Sequence, residues 1–414
     1  MQRRRNPLTR VRMRSLPTAR PPELTEPTPR ANRDRSGRRL GRPDLGQTPT
    51  IIVLAVIWIL FQLADPNFLS PANLTNLLLQ IAPIGILALG ITLVLLLGEM
   101  DLSVSAVSGL SAAIMAVLSV KAGLPGPLAV LSGLATGLVI GVFQGWVITK
   151  LRVPSFVLTL AGFLAWQGVL LLVLGETGTV NLRDPFVVGL TGTFFPPLTG
   201  WLVAGLCVGL VGVAGLIGFR PRPDAGALDP TAVARLLLTG AAVLVAIVVL
   251  NADRGLPLAA LLFVGLTAFF DALIRWTTWG RHVFAVGGNA AAARRASIGV
   301  DQVRISVFGI CATLAAFGGI LDGSRLLAVN QSSGSVDLLL TAIAAAVIGG
   351  TSLFGGRGSV WGALLGALMV GSISNGIDLL ALPAEVKLMI TGAVLFLAVT
   401  LDALTRRQHQ TRRR

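Results

Sequence analysis

The side chains that could do chemistry in this chain are few, and most are isolated from one another. The sequence holds two histidines, His282 and His409, and two cysteines, Cys207 and Cys311, all far apart. A metal site needs three or four such ligands together, and a nucleophile needs a neighbouring base. We therefore expect no metal site, no disulfide and no bond chemistry in this chain. Both cysteines lie in apolar runs and are expected to be small buried residues.

Two acidic residues interrupt an apolar region in the sequence GEMDLS, which begins at Gly98. Charge between apolar runs is costly unless it is paired or hydrated. One interpretation is a simple turn at the membrane face. The other is a helix break that lines a translocation path, with Glu99, Asp101 and Ser103 on that path. The residues alone leave both open.

A glycine-rich segment, AAAVIGGTSLFGGRGSVWGALLG at 344–366, is the one stretch that could cradle a phosphate. A phosphate-binding loop of the P-loop type requires GxxxxGK[ST], and no Gly-Lys pair occurs anywhere in the chain. We therefore interpret Gly349-Gly350 and Gly355-Gly356 as brackets of a structural turn between two helices. No nucleotide or other cofactor is expected to bind to this chain.

A basic, polar stretch, WGRHVFAVGGNAAAARRASIGVDQVR at 279–304, interrupts the apolar sequence. Gly287, Gly288 and Asn289 predict a tight turn, because glycines supply backbone angles that other residues avoid. Asn289 is then placed to cap a short helix over 290–296, which an alanine run favours. Gly299 is expected to end that helix. An ordinary loop, made basic because positive residues stay on the cytoplasmic side, is the alternative.

These segments must be positioned by helices within a membrane. The chain is 53% hydrophobic and only 13% charged, with a mean hydropathy of +0.78, whereas a soluble protein carries about 25% charged residues. We predict an all-α, polytopic bundle of about twelve spans. The apolar runs that define them are 51–64, 77–97, a run ending near 120, 126–148, 154–174, 198–218, 233–250, 255–274, 305–321, 338–354, 360–380 and 386–404.

The net charge of +15 is concentrated at the two ends of the chain. The first 50 residues hold 13 arginines and four acidic residues, and 405–414 hold five arginines and no acid. We predict a disordered basic tail over 1–49, a transmembrane domain over 50–404 and a second basic tail over 405–414. Anionic lipid headgroups attract such tails. The N-terminal tail has no aromatic residue on which a base could stack, so no nucleic-acid partner is expected.

Charge in the connections predicts the orientation. With the N-terminus in the cytoplasm, eleven basic residues fall in inner connections and five in outer ones, as the positive-inside rule requires. Both tails and the 276–304 loop are then cytoplasmic. Gly133, Gly137, Gly141 and Gly145 recur at every fourth position and predict a close helix contact. The pairs with the same spacing, Gly205/Gly209 and Gly362/Gly366, predict further contacts.

Three of these segments together resemble one family. WGRHVFAVGGN followed by AAARRASIGV is similar to the cytoplasmic coupling loop of monosaccharide permeases of ATP-binding-cassette (ABC) transporters, the ribose/xylose type. GEMDLSVSAVSGL and GGTSLFGG resemble two other family segments in the same order. The resemblance covers about 50–404, and within the family this sequence looks most like the xylose permeases. Three positions depart from it: Ala290 replaces a usual Glu, Ser297 a usual Gly, and Glu99 a usual second Gly.

The resemblance implies an importer subunit of the inner membrane. In this family the coupling loop docks on an ATP-binding subunit, which uses the ATP. A periplasmic or lipid-anchored sugar-binding protein docks outside, and the permease is a homodimer within membrane lipid. The sugar is expected to be a pentose such as xylose. Matched onto this sequence, the coupling residues are expected to be Arg281, Gly287, Gly288, Asn289, Ala293, Arg294 and Gly299.

Two other transporter classes were weighed against this prediction. Branched-chain amino-acid permeases share the general architecture and a similar glycine-rich turn, but the GRHVFAVGGN run indicates the sugar branch. An ion-coupled secondary transporter also often has about twelve spans, but coupling to ions usually needs ionisable residues in mid-span. The runs 126–148, 198–218 and 233–250 contain no charge except Arg235 near one end.

Overall fold

The computed structural model describes residues 48–218, 230–383, 385–390, 392–393, 396 and 400. The predicted tails, 1–49 and 405–414, fall outside these residues apart from Thr48 and Pro49. The predicted last span, 386–404, is described only in part. The domain boundaries at the two tails therefore stay predictions.

Helices dominate the described part of the chain, so the predicted all-α class is confirmed. Six helices, α2, α4, α5, α9, α11 and α13 in the following numbering, are long and apolar enough to cross a membrane. The helices are α1 (Thr48–Ala64), α2 (Pro71–Leu96), α3 (Val104–Val120), α4 (Gly126–Leu151), α5 (Ser155–Leu174), α6 (Pro185–Gly192), α7 (Pro197–Gly218), α8 (Pro230–Asn251), α9 (Leu258–Trp276), α10 (Thr278–Arg295), α11 (Val300–Leu326), α12 (Val336–Ile348) and α13 (Val360–Leu379).

Four very short strands pair in the connections between helices. β1 (Thr179–Asn181) pairs antiparallel with β4 (Ala328–Asn330), and β2 (Phe194–Phe195) pairs antiparallel with β3 (Leu256–Pro257). The predicted order of spans places all four strands at one end of the bundle. We call this the β end, and we call the opposite end, which carries α10, the α10 end.

Helix starts follow local capping signals. Ser70 accepts a hydrogen bond from the amide of Asn73 at 3.3 Å, and Pro71 occupies the first turn of α2. Asp184 accepts bonds from the amides of Phe186 and Val187 at the start of α6. Such caps satisfy amides that have no partner within the helix.

The centre of the bundle is formed by α2 and α11. α2 continues through Pro83, and its second half is buried almost completely. α11 packs against α2, α3 and α4. α5 lies at the edge, where it packs on α3 and exposes Leu160, Leu164 and Leu172 on its other side.

The glycine face of α4 meets α11, and this prediction is confirmed. A Cβ added at Gly137 would lie 2.5 Å from the carbonyl oxygen of Ala312, and one at Gly145 would lie 2.9 Å from the Cα of Ile305. Gly362 and Gly366 of α13 likewise lie against the C-terminal half of α12 and the residue that follows it. The prediction for Gly205 and Gly209 on α7 is wrong within the part of the chain that the structure describes, because added Cβ atoms there would meet nothing within 4 Å.

Eleven of the predicted spans coincide with described helices, although several boundaries differ. α2 begins at Pro71, before the predicted 77, and α11 ends at Leu326, after the predicted 321. α11 begins at Val300, so the last turn of the predicted 276–304 loop is already part of that helix. α12 ends at Ile348, and the rest of the predicted 338–354 span is loop. The span count of about twelve stays a prediction, since 386–404 is described only in part.

Candidate functional site

The predicted coupling stretch is mostly helical and consists of two segments. α10 runs from Thr278 to Arg295 and is bent at Asn289, whose backbone is extended (φ −164°, ψ 98°). Gly287 and Gly288 have no positive φ and belong to the first segment. The predicted tight turn at Gly287-Gly288-Asn289 is therefore wrong, because the bend is confined to Asn289. We call residues 290–295 the second segment.

Asn289 caps the second segment, as predicted. Its Oδ1 accepts a hydrogen bond from the amide of Ala292 at 2.9 Å. Ala293 is buried, whereas its neighbours Arg294 and Arg295 are exposed. Gly299 does not end this helix as predicted. The chain turns at Ser297, whose φ is 60°, and Gly299 directly precedes α11 with φ −71°.

The second segment is fastened to the neighbouring helices by one acidic residue. Arg294 donates to Asp301 at 2.9 Å, and Lys150, near the end of α4, lies 3.9 Å from the same carboxylate. These side chains are exposed by about a third to a half. Arg281, on the first segment, is also exposed. α10 therefore offers a basic outer surface while resting on the bundle.

Three separate glycine-containing segments meet at one point, and one of them is the first segment of α10. The amide of Gly356 donates to the carbonyl oxygen of Leu96, the last residue of α2, at 2.9 Å. A Cβ added at Gly287 would overlap the same carbonyl group, and one added at Gly355 would lie 2.8 Å from the amide nitrogen of Gly98. We call these five residues the glycine junction. It brings α10, the GEMDLS break and the glycine-rich turn into backbone contact.

Glycine is required at this junction for conformation as well as space. Gly98, Gly355 and Gly356 have φ values of 76°, 86° and 72°, a region that side chains disfavour. A Cβ at Gly355 would also lie 2.9 Å from the carbonyl oxygen of Gly287. The predicted structural turn in the glycine-rich segment is confirmed, and the structure adds which partners it touches.

The break between α2 and α3 is held against the start of α5. The amide of Leu102 donates to the Thr159 hydroxyl at 3.0 Å, and that of Met100 to the Ser155 hydroxyl at 3.4 Å. Side chains thus satisfy backbone amides that no helix satisfies. The chain is not helical between Leu96 and Val104, and whether this break is a simple turn at the membrane face or lines a path stays a prediction.

Glu99 forms an ion pair that the sequence analysis missed. Its carboxylate lies 2.8 Å from the guanidinium of Arg304 on α11, with side chains 15% and 25% exposed. The pairing brings together residues far apart in the chain, and only the costly charge of Glu99 in an apolar region hinted at a partner. The break is thereby tied to the helix that follows α10.

Asp101 and Ser103 lie inside the bundle. Asp101 is 5% exposed, and its Oδ1 accepts bonds from the amide and hydroxyl of Ser103 at 2.9 and 2.6 Å. The Ser103 hydroxyl also lies 3.0 Å from Oε1 of Gln144, which is 2% exposed. The sequence analysis missed Gln144, although it has the longest polar side chain within the glycine repeat of α4.

Groups that could do bond chemistry are not assembled in the described part of the chain. No set of three His, Cys, Asp or Glu side chains is close enough there to hold a metal ion. Asp322 and Arg325, three residues apart on α11, form an ion pair at 3.3 Å. The glycine junction can instead act mechanically, because close backbone contact transmits a displacement of one element to the next.

Comparison with known proteins places the chain among transport permeases. The family model described as branched-chain amino acid transport system / permease component matches residues 73–399. The xylose transport system permease protein of Escherichia coli (strain K12) is 36% identical over 384 residues, which cover 90% of this chain and 96% of that protein. The ribose import permease protein of the same strain is 31% identical over 368 residues, 89% of this chain and 97% of that protein.

A relative from another organism gives the same result. The xylose transport system permease protein of Haemophilus influenzae is 36% identical over 369 residues, which cover 86% of this chain and 96% of that protein. No solved structure matches the chain. The resemblance to sugar permeases is thus confirmed. This multi-pass membrane protein belongs to the branched-chain amino acid transport system / permease component family, and it is a transport subunit of the kind found in ABC importers.

Proposed function

We propose that this chain forms the membrane path of an ABC importer for a monosaccharide, with a pentose such as xylose as substrate. The matched relatives carry xylose and ribose in their names and are matched over nearly their full length. A partner subunit hydrolyses ATP, and this chain binds no nucleotide. The observation that carries the mechanism is the glycine junction, because it joins α10 directly to the GEMDLS break.

The proposed mechanism is alternating access driven from the α10 end. Arg281 and Arg294 are exposed on α10, where an ATP-binding subunit would dock. When the ATPases close, α10 moves with them. Gly287 then pushes on the carbonyl group of Leu96, and the break that holds Asp101 and Ser103 shifts between α4 and α5. Asn289 and Ala293 set the shape of α10, Gly299 precedes α11, and a side chain added at Gly288 would point away from the glycine junction.

The remaining partners follow from the same proposal. A periplasmic or lipid-anchored sugar-binding protein docks at the β end, which faces away from the cytoplasm. Two copies of this chain build the path within membrane lipid. The exposed apolar side of α5, with Leu160, Leu164 and Leu172, supplies a surface that a second copy can cover. Native mass spectrometry of the purified complex is expected to count two permease copies.

Uptake by the reconstituted complex tests the function. The complex of this chain with its ATPase and binding protein is placed in liposomes, and labelled D-xylose, D-ribose and L-leucine are offered. We expect ATP-dependent uptake of a pentose that survives collapse of ion gradients. Uptake that follows an imposed proton or sodium gradient without ATP would indicate a secondary transporter. Uptake of leucine alone would indicate an amino-acid permease.

Site-directed labelling tests the orientation. Ala292→Cys lies on α10 and Thr179→Cys on β1, and both positions are exposed. A membrane-impermeant maleimide added to intact cells is expected to label the cysteine at 179 and to leave that at 292 unlabelled until the membrane is opened. Labelling of 292 from outside would contradict cytoplasmic termini.

A further inference from the structure

A second polar cluster lies beside the GEMDLS break, deeper in the bundle than the glycine junction. Asp101 and Ser103 come from the break, Gln144 from α4, and Gly162 and Trp166 from α5. We call these five residues the Gly162 cluster. They come from the break and from two consecutive helices, α4 and α5. All of them except Gly162 have a polar group in the side chain.

Several polar atoms of this cluster are buried without a partner. They are Oδ2 of Asp101, Nε2 of Gln144 and Nε1 of Trp166. Asp101 and Gln144 are themselves 5% and 2% exposed. An unpaired buried polar group costs about 1–3 kcal/mol, so such groups are rare unless a ligand or water meets them. Three in one place indicate a binding site.

The two unpartnered donors converge on one point. A Cβ added at Gly162 would lie 2.5 Å from Nε2 of Gln144 and 3.2 Å from Nε1 of Trp166. The Cβ of Ser103 would lie 3.6 Å from the same point. The amide of Gln144 therefore occupies the point where a side chain at 162 would begin, and glycine there lets Gln144 and Trp166 lie close together. Gly168, two turns further along α5, has open surroundings, since a Cβ there would meet nothing within 4 Å.

The chemistry of these atoms fits a neutral hydroxyl compound. Nε2 of Gln144 and Nε1 of Trp166 donate, and Oδ2 of Asp101 accepts. A hydroxyl group both accepts and donates, so neighbouring hydroxyls can satisfy all three atoms. An anion would be repelled by the Asp101 carboxylate, and a cation would meet the positive ends of two N–H groups. The Trp166 ring adds an apolar surface of the kind that sugar rings contact.

We propose that the Gly162 cluster binds hydroxyl groups of the sugar during its passage, with Trp166 and Gln144 as donors and Asp101 as acceptor. This inference rests on the proposed function. It adds that the site changes shape with the transport cycle. Asp101 and Ser103 belong to the break that the glycine junction moves, whereas Gln144 and Trp166 belong to α4 and α5. Displacement of the break therefore separates acceptor from donors and releases the sugar.

The proposal is tested by combining variants that lack one protein group with sugar analogues that lack one hydroxyl group, and by comparing their transport rates. The assembled complex in liposomes is supplied with the pentose that the wild type transports, D-xylose or D-ribose, or with each monodeoxy analogue of that pentose. Concentrations are chosen to saturate the binding protein. Trp166→Phe removes the N–H and keeps an aromatic ring, and Gly162→Ala adds a methyl group that must displace the amide of Gln144. Trp146→Phe, on the exposed side of α4, and Gly168→Ala are the matched controls.

We expect Trp166→Phe and Gly162→Ala each to lower the transport rate about five-fold, the value of one hydrogen bond, while both controls stay within about two-fold of the wild type. The wild type is expected to transport one of the monodeoxy analogues about five-fold more slowly than the pentose itself. The Trp166→Phe variant is expected to transport that analogue almost as fast as it transports the pentose, because the hydrogen bond is already absent from the variant.

Two results would overturn the proposal. If both variants transport the pentose like their controls, the cluster meets only water. If both variants are slow, but removal of each hydroxyl lowers the transport rate by the same factor in variant and wild type, the residues act through packing and not through contact with the sugar. Should Trp166→Phe fail to assemble with the ATPase, Gly162→Ala decides by the same comparison. Failure of the wild type to transport any pentose would instead contradict the proposed function.

Discussion

The guanidinium of Arg304 lies 2.8 Å from the carboxylate of Glu99, and this pair ties α11 to the break between α2 and α3. Both side chains are mostly shielded from solvent, at 25% and 15% exposure. The pair therefore lies between a surface ion pair, worth about 0–1 kcal/mol, and a buried one, whose breaking costs about 3–5 kcal/mol. It fastens the element that α10 is proposed to move.

Removing one charge of this pair should loosen the break. We expect Glu99→Gln and Arg304→Gln each to lower the free energy of unfolding by about 1–3 kcal/mol, seen as a lower melting temperature in lipid nanodiscs. The exposed pair of Arg275 and Asp271 on α9 supplies the control, and Arg275→Gln is expected to change little. Equal small effects at 99, 304 and 275 would show that the pair does not hold the break.

The rigidity of the second segment of α10 should matter for coupling. Ala293→Pro removes a helical amide inside this segment and should cost about 3 kcal/mol locally. Transport and sugar-stimulated ATP hydrolysis are expected to be lost together, while membrane insertion persists. Ala290→Pro is the matched control. It occupies the first helical position, which tolerates proline, and follows an extended Asn289, which suits a residue before proline.

Reconstituted complex, assayed for ATPase rate and uptake side by side, distinguishes these variants. Full activity of Ala293→Pro in both assays would mean that α10 is only a tether. Arg294→Ala should act more mildly than Ala293→Pro, because its bond to Asp301 is half exposed and such pairs contribute about 0–1 kcal/mol.

The contact between α4 and α11 should not accept a large side chain. In Gly137→Leu, the new Cβ would already lie 2.6 Å from that of Ala316, so α11 must move away and the yield of folded protein should fall several-fold. Gly205→Leu on α7 is the control, since open space surrounds that glycine. Size-exclusion chromatography after detergent extraction measures the yield. Equal, wild-type yields would show that the glycine face of α4 tolerates separation from α11.

Helix positions and the α4 contact were predictable because they depend on local pattern. Apolar runs long enough to cross a membrane become helices in lipid, and glycines at every fourth position mark one face. The same spacing at Gly205 and Gly209 gave a wrong prediction. Spacing shows only that a close approach is possible, and the partner helix is decided by the tertiary fold.

The site was predictable only as separate pieces. The bend at Asn289 was assigned to Gly287 and Gly288, since paired glycines favour turns. These glycines in fact serve close approach, and Gly287 contacts a carbonyl group almost 200 residues earlier in the chain. The Glu99–Arg304 pair and the position of Gln144 could not be predicted either, because they also depend on contacts between residues that are distant in the sequence. Ser297 takes a φ of 60°, a backbone conformation that glycine adopts more readily than other residues.

The transmission of motion through the glycine junction is tested by two neighbouring substitutions. A Cβ at Gly287 would overlap the carbonyl group of Leu96, whereas one at Gly288 would meet nothing within 4 Å. Both residues lie in the same helical segment, so Gly287→Ala and Gly288→Ala change local helix propensity alike. The measurement is ATP-driven pentose uptake per ATP hydrolysed by the reconstituted complex. We predict that Gly287→Ala lowers this ratio at least ten-fold with the ATPase subunit still bound, and that Gly288→Ala keeps the wild-type ratio. Equal ratios in the two variants would contradict the coupling role of the junction.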